Sequence, residues 1–151
     1  MTPEQISAAV SYIYPELDSA FDYWVTESGL HWDNELPEPT EQQMQDALAP
    51  AAATAILQKL RDQIQLRLDA MASVDALGYD DIHTMARRKT SHVEKFRLEG
   101  EAADWWGDET WRVAGQIQAE VIAGTRPMPT DISDIEADLP ACPWDVHGNL
   151  L

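Results

Sequence analysis

One apolar stripe constrains this sequence more than any other feature. Ile56, Leu60, Ile64, Leu68 and Met71 recur at helical spacing, and Leu57 widens the line. Residues three and four apart share one side of a helix. Lys59, Arg61, Asp62, Gln63, Gln65 and Arg67 fall on the wet side. A helix carrying so long a stripe over residues 51–73 needs partner helices to cover it. The partners must come from the same 151 residues, enough for one domain or two small modules sharing a surface.

The rest of the chain supplies candidates. Thr2 caps a first helix, Pro3 takes its first position, and Gln5 completes a T-x-x-Q box. Ile6, Ala9, Val10 and Ile13 give it one apolar face, and Pro15 ends it near Tyr14. Phe21-Asp22-Tyr23-Trp24-Val25 and Leu30-His31-Trp32-Asp33 flank a Glu27-Ser28-Gly29 turn, the pattern of a hairpin. A lone hairpin is marginal in water, so it should pack on the first helix. Leu36-Pro37-Glu38-Pro39 reads as an extended linker. Thr40 and Gln43 repeat the capping box and open a helix through about residue 49, where Pro50 is expected to kink the helical run or divide it.

Asp80 or Asp81 caps a short helix containing Ile82, Met85 and Ala86, and Arg87-Arg88-Lys89 falls at its last turn, where cations oppose the dipole. Thr90-Ser91-His92 breaks the chain. Two further helices are predicted over residues 93–106 and 109–123, the first weakened locally by Gly100 and Gly107. Gly124 stops the second. Thr130 or Asp131 caps a last short helix through Leu139, ended by Pro140; beyond it the tail should be irregular, with residues 148–151 frayed. The expected fold is α+β and mainly α. Residues 1–39 form a small α+β module with an aromatic hairpin, and residues 40–151 a helical domain with an extended, Pro-rich C-terminal tail.

Charge divides the chain in another way. The formal charge is −17, yet residues 1–50 hold ten acids and no Lys or Arg, while residues 51–100 hold seven acids and eight bases. Nucleic-acid binding needs surplus cations, so that class is disfavoured. An electrostatically steered basic partner is compatible, and so is plain solubility. No segment approaches the roughly 18–20 apolar residues of a membrane span, and the N-terminus lacks a signal-peptide pattern. One cysteine, Cys142, allows neither an intrachain disulfide nor a cysteine-based zinc site, and a reduced, cytosolic setting fits best.

Chemistry-bearing patterns are sparse. His31, His83, His92 and His147 form no i, i+4 pair, and no H-E-x-x-H or Gly-rich phosphate loop occurs. Asp80-Asp81 and Asp108-Glu109 precede apolar periodic runs, so capping accounts for them. Ser91-His92 adjacency is not triad geometry, and Cys142 reads as a packing residue. No catalytic residue, cofactor or metal is expected. The six tryptophans carry more information: Trp24, Trp32, Trp105, Trp106, Trp111 and Trp144. Trp105 and Trp106 stand about 100° apart on a helix, so both cannot face one core centre. One of them belongs at a seam or on a partner surface, where Trp is enriched, unless large rings are simply filling a small core. Trp111 is expected in the core.

Several stretches taken together resemble a family. They are the segment from Phe21-Asp22-Tyr23-Trp24-Val25 through Trp32-Asp33-Asn34-Glu35-Leu36-Pro37-Glu38-Pro39-Thr40-Glu41-Gln42-Gln43-Met44, then Leu68-Asp69-Ala70, Gly78 to Ile82, Glu99 to Trp111, Ala119 to Thr130 and Ala137 to Trp144. In these the chain resembles small tailed-phage proteins of the tail-assembly or tail-fibre-assembly chaperone type. Arg87-Arg88-Lys89-Thr90-Ser91-His92 departs from that pattern, which carries small and aromatic residues there. The resemblance implies a non-enzymatic role in the host cytoplasm or on the virion, holding a tail or tail-fibre protein during assembly, with no nucleic acid or membrane as partner. A chaperone must hold aggregation-prone strands without locking them, and exposed aromatics with an acidic rim suit that. The expected partner-binding residues are Trp24, Trp32 and one of Trp105 and Trp106. Two other functions compete: an acidic, DNA-mimic-like inhibitor of a host DNA-binding or defence protein, and a minor structural tail component.

Overall fold

A computed structural model describes residues 1–19, 21–74, 77–145 and 148–151; His147 therefore lies outside the described residues. The fold is α+β and mainly α, with one two-stranded antiparallel hairpin. The chain divides into two compact units, Met1–Gln58 and Lys59–Leu151. That boundary falls later than the expected one at residue 39. The start of the helix after Thr40 belongs with the hairpin, because Met44 and Ala47 are buried in the hairpin's core.

In the first unit, helix α1 spans Pro3–Ile13. Its capping box is complete: the Gln5 amide donates to Thr2 Oγ1 at 3.3 Å and the Thr2 amide to Gln5 Oε1 at 2.9 Å. Ala9 and Val10 are its buried residues. Strands β1 (Tyr23–Thr26) and β2 (Gly29–Trp32) pair Tyr23 with Trp32, Trp24 with His31, Val25 with Leu30 and Thr26 with Gly29. The two-residue connection leaves Gly29 at φ +122°, which glycine adopts without strain. The expected contact is present, since α1 packs on both strands. Ile6, Ile13, Leu17, Val25, Leu30, Trp32 and Leu48 surround the buried core of Ala9, Val10, Tyr23, Met44 and Ala47.

Helix α2 spans Glu41–Ala72 without interruption. The second capping box forms, with the Gln43 amide donating to Thr40 Oγ1 and the Thr40 amide to Gln43 Oε1. Pro50 does not divide the helix. A proline inside a helix removes one hydrogen bond and costs about 3 kcal/mol. Here it is flanked by Ala49 and Ala51-Ala52-Ala53, the best helix formers, which offset part of that cost.

In the second unit the stripe of α2 is buried at Leu60, Ile64, Leu68 and Ala72. Ala72 takes the innermost end in place of Met71, which is half-buried. Asp81 caps α3 (Ile82–Ala86), its carboxylate accepting from the Thr84 amide at 2.6 Å. The basic run forms a 3₁₀ turn, Arg87–Thr90, directly after α3. The two helices expected beyond it are one: α4 spans Glu94–Ile122. Gly100 is no weak point. A Cβ built there would lie 2.9 Å from Lys89 Cα and closer still to the Lys89 nitrogen, so glycine is what lets the 3₁₀ backbone lie against α4.

The C-terminal part closes this core. Instead of the expected helix through Leu139 there is only a 3₁₀ turn, Ile132–Asp134, capped by Asp131. Trp106 and Trp144 meet edge to face at 5.2 Å and are fully buried or nearly so. Their indole N–H groups donate to Pro140 O at 3.1 Å and Met71 O at 2.9 Å. The Arg67 guanidinium lies 5.3 Å from the Trp106 ring centre. The last residues are not frayed: Trp144 bridges to Leu150, and the Leu151 amide donates to Pro143 O at 2.9 Å.

Candidate partner surface

Alternation along a hairpin decides which aromatics face solvent. Tyr23 and Trp32 are opposite one another and turn inward. Tyr23 is 1% exposed, and the two rings stack with centroids 6.2 Å apart. Trp32 also packs against Tyr14 at 5.5 Å and donates its indole N–H to Leu36 O at 2.8 Å. Tyr14 Oη donates to Pro37 O at 2.8 Å, so the expected linker is pinned at two points.

Trp24 and His31 occupy the other face. Their rings stack almost parallel, 7° apart, with centroids at 5.2 Å. Thr26 Oγ1 and Ser28 Oγ lie 3.1 and 3.4 Å from His31 Nε2 and hold the imidazole in place. Trp24 remains 46% exposed, and nearby in sequence Phe21 is 78% exposed. Trp24 also borders a surface groove lined by Pro3, Glu4, Ser7, Ser19, Tyr23 and Val25.

The four tryptophans considered for a partner surface therefore separate. Trp24 is on the outer face of the hairpin; Trp32 is on its inner face and serves the core. Trp24 and Trp32 thus cannot make one patch. Trp105 is 58% exposed, whereas Trp106 is completely buried and has no surface to offer. Burial of Trp106 follows from its place one helical turn from Ala103 and Thr110, both also buried. Trp111 is half-buried beside Leu68, Ala103 and Gly107. Sequence reasoning missed His31 as the neighbour of Trp24. The register that makes the two a cross-strand pair comes from a two-residue connection, Glu27-Ser28, where the sequence suggested a Glu27-Ser28-Gly29 turn.

Several of the remaining titratable groups have structural partners. Three bases in and after the basic run are paired within the second unit: Lys89 with Asp104 at 2.7 Å, Arg97 with Glu101 at 2.7 Å and Lys95 with Glu99 at 3.7 Å. Arg88 lies 5.8 Å from the Phe96 ring centre. Tyr79 donates its hydroxyl to Glu99 at 2.6 Å, a buried pair that the sequence did not announce. Burial first, and then the Glu99 carboxylate, push the Tyr79 phenol up to about 12. Burial also pushes the Cys142 thiol up, which opposes the thiolate form that a nucleophile needs. Among the described residues no group of His, Cys, Asp and Glu is placed to hold a metal ion, and no helix is long and apolar enough to cross a membrane.

Compared with known protein families, with curated proteins and with solved structures, the chain matches none.

Proposed function

We propose that this chain is a non-catalytic binding protein of the phage tail-assembly kind, which holds a tail or tail-fibre protein in the host cytoplasm during virion assembly. The observation that carries the reading is the outer face of the hairpin. There a tryptophan is held by a stacked histidine and yet left 46% exposed. Exposing so large an apolar ring forfeits burial energy, and such rings are enriched at the centres of protein interfaces. Behind it, the Tyr23–Trp32–Tyr14 packing gives the face a rigid base.

Co-expression with phage tail and tail-fibre proteins as candidate clients tests this. A soluble, stoichiometric complex is expected, with the client precipitating when the chain is absent. Clients that fold and assemble equally well without it would overturn the reading. Stoichiometric recovery in purified particles would assign it instead to the tail structure.

A second reading has its own support. Residues 1–58 hold ten acids and no Lys or Arg, as an acidic mimic of the phosphate backbone would. Such a protein inhibits a host DNA-binding or defence protein and competes with DNA for it. Its binding falls steeply between low and moderate salt.

A further inference from the structure

We infer that the cleft between α3 and α4 binds a primary alkylammonium group, with the apolar stem inside and the charge at Asp108. The site lies in the second unit and does not depend on the tail-assembly reading.

Shape carries the first half. A cavity of about 80 Å³ opens between Ile82, His83 and Ala86 on α3 and residues of α4 between Ala103 and Trp111. Leu68, Ile82 and Ala103 line it and are buried. Ala103, Gly107 and Trp111 stand about one turn apart along one row of α4, and all three line the cavity. A side chain at 107 would therefore stand in it, yet a Cβ there has nothing within 4 Å. The missing side chain is what leaves the space open. One water needs about 10–15 Å³ of such space, so this cleft is wide enough for a short alkyl chain, which gains by leaving water. Hydrocarbon walls with a few polar groups at the mouth are the usual form of a small-ligand site.

Charge carries the second half. The polar residues at the cleft are His83, Asp104 and Asp108. Both oxygens of Asp104 already accept from Lys89 Nζ, at 2.7 and 2.8 Å. Among the described residues the Asp108 carboxylate makes no hydrogen bond or ion pair, which leaves its charge uncompensated. Arg87 and Lys89 line the neighbouring cleft and not this one. An anionic ligand would therefore meet a carboxylate with no base to offset it. A cation meets that carboxylate and the indole of Trp111, the aromatic system best suited to hold an ammonium. The second unit as a whole carries seventeen acids against ten bases, so its field draws cations.

The test uses the full chain at pH about 8, where an ordinary imidazole is uncharged and an alkylammonium is not. Butylammonium is titrated beside butanol and butyrate at matched ionic strength, and the Gly107 amide and Trp111 indole are followed by NMR. Butylammonium should shift both signals with a dissociation constant on the order of 10 mM. Butanol, which has the stem without the charge, should bind about fivefold more weakly. Butyrate should leave both signals in place. Asp108→Asn should bring butylammonium down to the level of butanol. Gly107→Ala should weaken it about tenfold by occupying the cleft, while raising the melting temperature, which separates lost binding from lost fold. Gly115→Ala, also in α4 with open space at its Cβ but away from the cleft, should leave binding unchanged. Nα-acetyllysine methylamide separates the two sources of such a group. Binding as tight as that of butylammonium assigns it to a lysine of a partner protein, and exclusion assigns it to a free amine.

Butanol or butyrate binding as tightly as butylammonium would overturn the inference. So would an affinity unchanged by Asp108→Asn or by Gly107→Ala, or the absence of any shift at Gly107 and Trp111 up to about 100 mM amine.

Discussion

Tyr79 and Glu99 form a buried contact between single side chains in the second unit. Glu99 is 4% exposed and takes the Tyr79 hydroxyl at 2.6 Å, with Lys95 farther away at 3.7 Å. Tyr79→Phe leaves a buried carboxylate short of its nearest donor, and the expected loss of stability is about 1–3 kcal/mol by denaturant unfolding. Replacing Glu99 by Leu as well should recover part of that loss, because the stranded charge is then gone. Asp131 supplies a pH dependence. A hydrogen bond from the Gln63 amide and another from Lys59 hold its carboxyl at about 2, below the ordinary 3.8. The unfolded chain therefore binds the proton more readily. The stabilisation from Asp131 is fully present above pH about 4 and is lost as pH falls toward 2. Melting temperature measured across that window should fall less steeply for Asp131→Asn than for the parent chain.

At the scale of elements, glycine separates two cases that look alike in sequence. Gly100 and Gly107 both sit inside α4. A Cβ at Gly100 would strike the backbone of Lys89, so Gly100→Ala should destabilise by about 1–3 kcal/mol. Nothing lies within 4 Å of a Cβ at Gly107, so Gly107→Ala should stabilise by about 0.5–1 kcal/mol. Thermal unfolding of the two variants checks both signs. The same pair shows how far the sequence could be read. Capping boxes at Thr2 and Thr40, the Asp81 cap and the hairpin were legible because each is a local hydrogen-bond pattern a few residues long. The continuity of α2 through Pro50 and of α4 through Gly107 was not, because local propensity penalises both positions and flanking helix formers and packing outweigh it. Trp106 and Trp105 could be told apart only by the fold: Trp106 meets Trp144, 38 residues on in the chain and outside any periodic pattern.

Across the whole molecule, the two units differ in charge as much as in architecture. The first carries its negative charge without a single Lys or Arg; the second mixes acids with all ten bases and pairs many of them. Added salt should therefore weaken partner binding through the first unit more than through the second, and titrations of either unit's binding at two ionic strengths would measure it. The tryptophans divide along a similar line. Trp24 and Trp105 are exposed, while Trp106 and Trp144 are sealed together. Each unit thus has an indole that a dissolved quencher such as acrylamide can reach, and the second has a pair it cannot. The chain carries its own optical probes, and an emission that survives quenching reports the intact interior of the second unit.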